Sequence, residues 1–497
     1  MLSIASYADI RRDKAIKTLY GGILVNEPYW NQEEINPLHF PRTAIYPRLI
    51  DSASKNLLRL RYMRILIYSY NYYPEPIGIA PLMTELAEGL VRRGHEVRVV
   101  TAMPWYPERR IYPKYQRKLY MTEKINGVAV QRNYLRVRPH PKLLDRVLLD
   151  ASFVMISLVH ALRGDRPDVI LLTSPPLPVS VPAALLGWLH RCPVVLNLQD
   201  VLPEAAIRTG VLKNKWLIRV FQGLEKFAYQ TATKISVISE GFRDNLLRKG
   251  VPKHKITVMP NWVDINFITC FEQNRTTNHF RTAYQLEDKF VVLYSGNIGL
   301  TQGLETVVKT AIRLRDFADI AFVIVGEEDA LKKLQKSCQE HNANNVLLLP
   351  FQPREELPEM LAAADVSLVV QKENMSSFNM PSKIQVLLAS GRAIIASIPN
   401  DSTAASAVLQ SGGGILVPPE DPEALKEAIL DLYWHPEKAK LLGKKGRKCA
   451  EEKYAYELAL DRYEQLFVGL HLRTELRSQE PEEVGSQNVS KLNSKNQ

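Results

Sequence analysis

Cysteine is scarce: the chain of 497 residues holds four, Cys192, Cys270, Cys338 and Cys449, far apart and without a CxxC pair. A disulfide-stapled module and a thiolate metal centre are excluded, and a reducing compartment is the default. Long apolar runs are missing too. No stretch reaches the roughly 18 consecutive apolar residues of a bilayer-spanning helix, and the start lacks the apolar core of a signal peptide. Internal repeats and low-complexity tracts are also lacking. What is left, 46% hydrophobic, 24% charged and 8% aromatic, is the composition of a globular protein of two or three domains, cytoplasmic or lying against a membrane.

The formal charge of +11 is unevenly spread. Basic residues outnumber acidic ones nine to six over 1–62 and 29 to 15 over 63–260; acids lead 28 to 23 over 261–473 and four to three in the tail. One segment therefore carries +14 and the next −5.

Residues 1–62 mix Pro, Tyr and charges without a sustained period, whereas Met63 opens Arg64-Ile65-Leu66-Ile67-Tyr68-Ser69, a buried first strand. Met63 is the expected start, with 1–62 an extension. Strands at 64–69, 96–101, 128–134, 168–172, 193–198, 234–237 and 255–258 then alternate with helices at 80–93, 143–163, 180–190, 214–231 and 240–249. This alternation predicts a parallel sheet covered on both faces, over 63–260. Polar residues 261–288 read as a linker. A second series follows over 289–450, with strands at 290–294, 320–325, 345–349, 365–370 and 393–396. The fold class is α/β, two Rossmann-like doubly wound domains facing a cleft. Helical patterns run over 421–447 and 450–472, and from Thr474 a disordered tail is expected to residue 497.

In the second domain the strand ending at Tyr294 runs into Ser295-Gly296-Asn297-Ile298-Gly299-Leu300-Thr301-Gln302-Gly303 and then a helix. Such a turn lets backbone amides and a helix N-terminus meet a diphosphate, or is an ordinary tight turn. Met380-Pro381-Ser382-Lys383 starts another helix with a lysine in its first turn. That cation opposes the helix dipole and is useful chiefly when an anion is held beside it. In the first domain, Tyr72-Tyr73-Pro74-Glu75-Pro76-Ile77-Gly78 is no GxGxxG loop, which argues against a dinucleotide-dependent dehydrogenase and leaves Gly78 facing the cleft. Asp200 follows the strand Val194–Leu198 at its carboxyl end. With Glu204 it is either a partner for acceptor hydroxyls or, alternatively, a helix cap. His95 lies in a helix-to-strand turn and reads as structural.

Eleven basic residues gather from Arg109 to Arg146 against Glu123 and Asp145, interleaved with Tyr112, Tyr115, Tyr120 and Tyr134 and followed by the apolar helix Val147 to Leu162. Segment 105–162 therefore suits an anionic membrane surface. The same run as a nucleic-acid site lacks a legible recognition module, and no nucleic acid is expected; a merely solvated face is the remaining reading.

Seven short motifs in order, Tyr72-Tyr73-Pro74-Glu75, Thr173-Ser174-Pro175-Pro176-Leu177, Gln199-Asp200-Val201-Leu202-Pro203-Glu204, Ile238-Ser239-Glu240-Gly241-Phe242-Arg243, Pro260-Asn261-Trp262-Val263-Asp264, Ser295-Gly296-Asn297-Ile298-Gly299 and Met380-Pro381-Ser382-Lys383, resemble the GT-B glycosyltransferases of family 4. Within that family the likeness is to its colanic-acid, exopolysaccharide and O-antigen branch. It runs from Met63 to about residue 470. The resemblance implies a nucleotide-sugar donor in the C-terminal domain, held by Gly296, Asn297, Gly299, Gln302, Ser382 and Lys383, with Glu373 as an acidic substitute. It implies an acceptor, lipid-linked, near Gly78, Asp200 and Glu204, with Asp200 and Lys383 as the catalytic pair. Retention of anomeric configuration, no metal or other cofactor, and C-terminal helices packing back on the first domain also follow from it, as does a peripheral position on the cytoplasmic membrane face. The family's glutamate pair is replaced by Phe378 and Val386, and its basic pair in the glycine loop by Asn297 and Gln302. A sugar-nucleotide epimerase of the same fold and a non-catalytic binding or scaffold protein are the alternatives.

Overall fold

A computed structural model describes residues 62–479 except 77, 107, 140, 142, 202–203, 205–213, 270–276, 300, 374–380 and 382. Nearly all of the expected N-terminal extension, and the chain beyond Gln479, lie outside the described residues.

The first sheet is built by β1 (Arg64–Tyr68), α1 (Ala80–Arg92), β2 (Glu96–Ala102), β3 (Tyr120–Ile125), β4 (Val128–Asn133), α2 (Leu143–Ala161), β5 (Val169–Ser174), α3 (Ser180–His190), β6 (Val194–Leu198), α4 (Lys215–Thr231), β7 (Lys234–Val237), α5 (Glu240–Arg248) and β8 (Ile256–Val258). Its order is β3-β4-β2-β1-β5-β6-β7-β8, parallel except where β3 pairs antiparallel with β4. Side chains alternate across it as the strand period requires. Leu66, Tyr68, Val100 and Leu172 share a core with Phe153 of α2, Leu186 of α3 and Tyr229 of α4. Ile65, Ile67, Val99 and Leu171 share another with Leu86 and Leu90 of α1.

After α6 (His279–Ala283), the second sheet follows from β9 (Phe290–Ser295), α7 (Leu304–Arg313), β10 (Ile320–Gly326), α8 (Glu328–Glu340), β11 (Val346–Pro350), α9 (Leu357–Ala362), β12 (Val366–Val370), α10 (Lys383–Ala389), β13 (Ala393–Ser397), α11 (Thr403–Ser411) and β14 (Gly414–Val417). Its order, β11-β10-β9-β12-β13-β14, is parallel throughout. Helices α12 (Pro422–Trp434), α13 (Pro436–Cys449) and α14 (Tyr456–Gln479) close the chain.

The last of these crosses back to the first lobe. Tyr463 and Phe467 of α14 are fully buried in the core beneath α1, each contributing about 2 kcal/mol of apolar burial. Around them Arg93 pairs with Glu457, Asp461 and Glu464. His95 sets Nδ1 3.3 Å from the Met63 amide and Nε2 3.1 Å from Glu464, the structural role expected of it. A second tie spans the lobes. Glu85 of α1 accepts from Trp262 Nε1 at 2.9 Å and pairs with Arg354 of the second lobe at 2.7 Å.

Three expectations need correction. The strand β3 was not expected, because its pattern is half polar; as an edge strand it buries little, and the Asn126-Gly127 turn that joins it to β4, with φ of 46° and 87°, is the signal that reveals it. β14 also escaped, being four residues long behind consecutive glycines. The tail does not start at Thr474: α14 runs on to Gln479, propagated from its docked part and supported by a His471–Glu475 pair one turn apart.

Candidate functional site

The glycine loop between β9 and α7 stands at the carboxyl end of its sheet. Gly296 has φ of 141°, a conformation that L side chains rarely adopt, and Lys383 Nζ lies 3.9 Å from where its Cβ would be. That ammonium is the centre of the site. It sits 3.7 Å from the Tyr294 ring centroid, is sealed from solvent although the rest of the side chain is only half-buried, and has no hydrogen-bond partner among the described residues. Burial alone lowers its pKa from 10.5 to about 7. Tyr294 is itself pushed up by burial and donates to the Asn297 carbonyl at 2.7 Å, fixing the loop over the ring.

At the other end of the loop Gly303 is the N-cap of α7, in the left-handed region at φ 63° and with no side-chain cap. The stem of Lys372 runs across it, Cγ 3.2 Å from the position of a Cβ, and the Lys372 amide donates to the Thr301 carbonyl at 2.9 Å. Its ammonium makes no ion pair among the described residues. Two lysines thus flank a loop that ends in a helix N-terminus, and among the described residues no carboxylate pairs with either. This is an arrangement suited to a dianionic diphosphate. Lys372 was missed in the sequence because it follows a strand rather than standing in the loop.

The remaining donor-side candidates divide. Gln302 folds back, its Oε1 accepting from the Gly299 amide at 2.9 Å and Thr301 Oγ1 at 3.0 Å, so it braces the loop and occupies the amide that Gly299 would have offered. Glu373 is exposed, its own amide donating to Glu420 at 3.1 Å. Asn297 is exposed in the loop. Ser382 and Phe378 lie outside the described residues, and Val386 is a partly buried core contact of α10.

On the first lobe Asp200 stands two residues beyond the end of β6, its Oδ1 accepting from the Val201 amide at 2.8 Å; burial raises its pKa and that bond lowers it less. Glu204 is engaged elsewhere, paired with Lys249 at 3.3 Å and accepting from Asn245 at 2.9 Å, which makes it a brace between segments. Gly78 has φ of 76° and open space where a Cβ would be. Glu75, buried, accepts from the amides of Trp105 and Tyr106 at 3.0 and 2.9 Å and pins the loop after β2. That loop reaches the cleft. Tyr106 is raised by burial and further by Glu327 of the second lobe.

Behind it three polar groups have no partner among the described residues: Tyr70 Oη, Trp105 Nε1 and the Asp150 carboxyl. The Tyr70 ring stands 6.3 Å from Trp105 and 4.9 Å from Phe153, one helical turn beyond Asp150 on α2. Desolvation pushes Asp150 up to about 7. Only the fold brings the three together.

The basic run is partly internal. Arg132 is fully buried, paired with Glu123, donating to the Tyr73 carbonyl at 2.7 Å and lying 4.9 Å over the Tyr115 ring. Arg138 pairs with Asp145. Among the described residues no three His, Cys, Asp or Glu side chains converge as metal ligands would, and no helix is long and apolar enough to cross a membrane.

Comparison with known proteins gives matches along both lobes. Residues 78–262 match the glycosyl transferase 4-like domain, and residues 276–449 match the glycosyl transferases group 1. The chain is 33% identical, over 74% of its length and 91% of the relative's, to the putative colanic acid biosynthesis glycosyl transferase WcaI of Escherichia coli K12. It is 26% identical to the probable glycosyltransferase WbjE of Pseudomonas aeruginosa, over 61% of this chain and 74% of that one. The solved structure of HepE from Anabaena, in complex with UDP, superposes with a TM-score of 0.61 over 82% of this chain and all of that one, at 16% identity, which speaks for the fold.

Proposed function

Because the chain belongs to the family 4 glycosyltransferases of the GT-B fold, with relatives in colanic acid biosynthesis, we propose that it moves a sugar from a nucleotide-sugar donor to a lipid-linked acceptor in exopolysaccharide assembly. The observation that carries this reading is the buried, unpartnered Lys383 ammonium beside Gly296. An uncompensated buried cation costs several kcal/mol unless an anion completes it. The donor diphosphate is that anion.

In this reading the bond from the anomeric carbon to the diphosphate oxygen breaks as Lys383 and Lys372 meet the charge that develops on the leaving group, supplying what a metal would otherwise supply. The acceptor hydroxyl oxygen bonds to the same face of the anomeric carbon, retaining configuration, and its proton passes to the departing phosphate. Asp200 stands at the acceptor side, where its second oxygen is unengaged among the described residues. Tyr70, Trp105 and Asp150 line the region that receives the acceptor's hydroxyls. Lipid linkage places the enzyme peripherally on the cytoplasmic face of a membrane.

The test is transfer from a panel of nucleotide sugars to a bacterial lipid extract, run beside calorimetric binding of UDP and GDP. Lys383→Ala should lose transfer by about a hundredfold or more. Unchanged turnover in that variant removes the lysine from the mechanism, and absence of nucleotide binding by the wild type would sink the whole reading.

A further inference from the structure

Of the 21 large apolar side chains exposed among the described residues, eleven belong to α2, α3, α4 and the residue just after α2, a small fraction of the chain. They are not scattered. On α2, Leu144, Val147, Met155 and Val159, continued by Leu162, recur at helical spacing along the outer face, while Phe153, Ser157 and Ala161 face the core. On α3, Val181, Leu185, Trp188 and Leu189 do the same, and on α4 Trp216 and Val220 stand one turn apart. The three helices lie side by side, α3 packing against both α2 and α4, on the side of the sheet away from α1 and α14. Leu144 is 68% exposed, Met155 66%, Trp188 77% and Trp216 67%.

The charge on these helices is one-sided. Arg146, Arg166, Arg191, Lys215, Arg219 and Lys226 are exposed on or beside them, without an ion-pair partner among the described residues. Their three acids are all withdrawn: Asp145 pairs with Arg138, Asp150 faces Tyr70, and Glu225 is buried against Lys249. Proud tryptophans, aliphatics at helical spacing and a rim on which these six exposed cations outweigh the one exposed acid beside them, Asp165, complement a boundary that is apolar within and anionic at its surface.

We propose that the outer face of α2, α3 and α4 is a docking surface that seats on the headgroup and acyl boundary of an anionic bilayer. The helices lie in the plane of that boundary, since none can cross it. The surface gives the proposed peripheral enzyme a defined orientation, and in that sense rests on the reading above; it is distinct from the Arg109 to Lys142 segment, whose buried Arg132 and paired Lys114 hold the first lobe together.

The experiment uses the full chain with sucrose-loaded vesicles of phosphatidylethanolamine and phosphatidylglycerol, and with phosphatidylcholine vesicles as the neutral counterpart. Wild type should sediment with the anionic vesicles, less so at high salt, with the indole emission shifting to the blue. Trp188→Asp combined with Leu185→Asp should lower the partition coefficient by about tenfold or more. Trp434→Asp, at a site 62% exposed on the second lobe, should leave it unchanged. UDP binding and thermal melting measured on each variant keep folding and the donor site separate from docking. Equal partition of the double variant and wild type overturns the proposal, as does failure of wild type to bind the anionic vesicles while it binds UDP. A wild-type dimer that becomes a monomer on Trp188→Asp, with vesicle binding intact, makes the face a contact between two copies and equally overturns it.

Discussion

Burial lowers the Lys383 pKa to about 7, and the lysine must be charged to hold a diphosphate, so donor binding is coupled to proton uptake. The sign follows directly. Bound anion raises the lysine pKa, so below pH 7 the ammonium is already protonated and affinity is flat. Above pH 7 binding must first protonate it, and affinity falls. With a free-state value of about 7, the loss between pH 6 and pH 8 is about tenfold, or about 1.4 kcal/mol. At pH 8 about 0.9 proton should enter per donor bound, against about 0.1 at pH 6. A nucleotide sugar is the right ligand, because the terminal phosphate of a free nucleoside diphosphate titrates near 6 and would obscure the effect. Calorimetry at each pH in two buffers of different ionisation enthalpy reads the uptake. Lys383→Arg, permanently charged, should bind with a flat profile. Tight, pH-independent binding by the wild type with no proton uptake at pH 8 would refute the reasoning. The same lysine weakens the ligand-free fold. Its folded pKa lies below the unfolded one, so the penalty, about 5 kcal/mol, is complete below pH 7 and vanishes as pH rises to 10.5. Lys383→Met should therefore raise the melting temperature of the empty protein at neutral pH.

Lys372→Met should weaken UDP about tenfold and UMP hardly at all, since one charge-assisted contact to the outer phosphate is lost; equal losses for both nucleotides would deny it that contact. Arg132→Met leaves Glu123 without its buried partner and should cost about 3–5 kcal/mol in urea unfolding, with Glu123→Gln added to it recovering part. Asp150→Asn should raise the KM for acceptor while leaving donor binding alone. Because the folded pKa of Asp150 is raised, stability falls as pH climbs from 3.8 to about 7, and the variant should flatten that slope in thermal melts.

The two sheets were legible because parallel strands buried on both faces read as short β-branched runs, such as Val291-Val292-Leu293 and Ile394-Ile395. Lys383 and the Gly296 turn were legible because a glycine loop after a strand and a lysine at a helix start are local patterns. What sequence could not provide was sequence-distant pairing. Lys372 is 69 positions from Gly303 and meets it only because β12 lies beside β9. Tyr70, Trp105 and Asp150 converge from three elements by the same route. Gln302 was assigned to the donor by position, whereas its side-chain oxygen turns back to accept from the Gly299 N–H and Thr301 Oγ1, a local contact that the residue order does not reveal.

The +14 of the first lobe changes meaning once its members are placed. Arg64, Arg93, Arg132, Lys249 and Lys255 are spent on carboxylates and carbonyls of the fold and add little outward field. The exposed cations beside α2, α3 and α4 have no such partners; Arg109, Arg110, Arg117, Lys118, Lys124 and Arg136 are likewise exposed and unpaired among the described residues, but only the former border an apolar face that can bring them to a leaflet. Near an anionic leaflet each cation contributes about 1 kcal/mol at low salt. Replacing Arg166, Arg191 and Arg219 together by Gln should therefore weaken binding to phosphatidylglycerol vesicles by about a hundredfold and flatten its salt dependence. The same three-charge change at Arg117, Lys118 and Lys124, which sit before and on the β3 edge strand, should do much less, although the net charge falls equally. If the two triple variants lose affinity alike, net charge alone governs the attraction and the placement of these cations has no role in it.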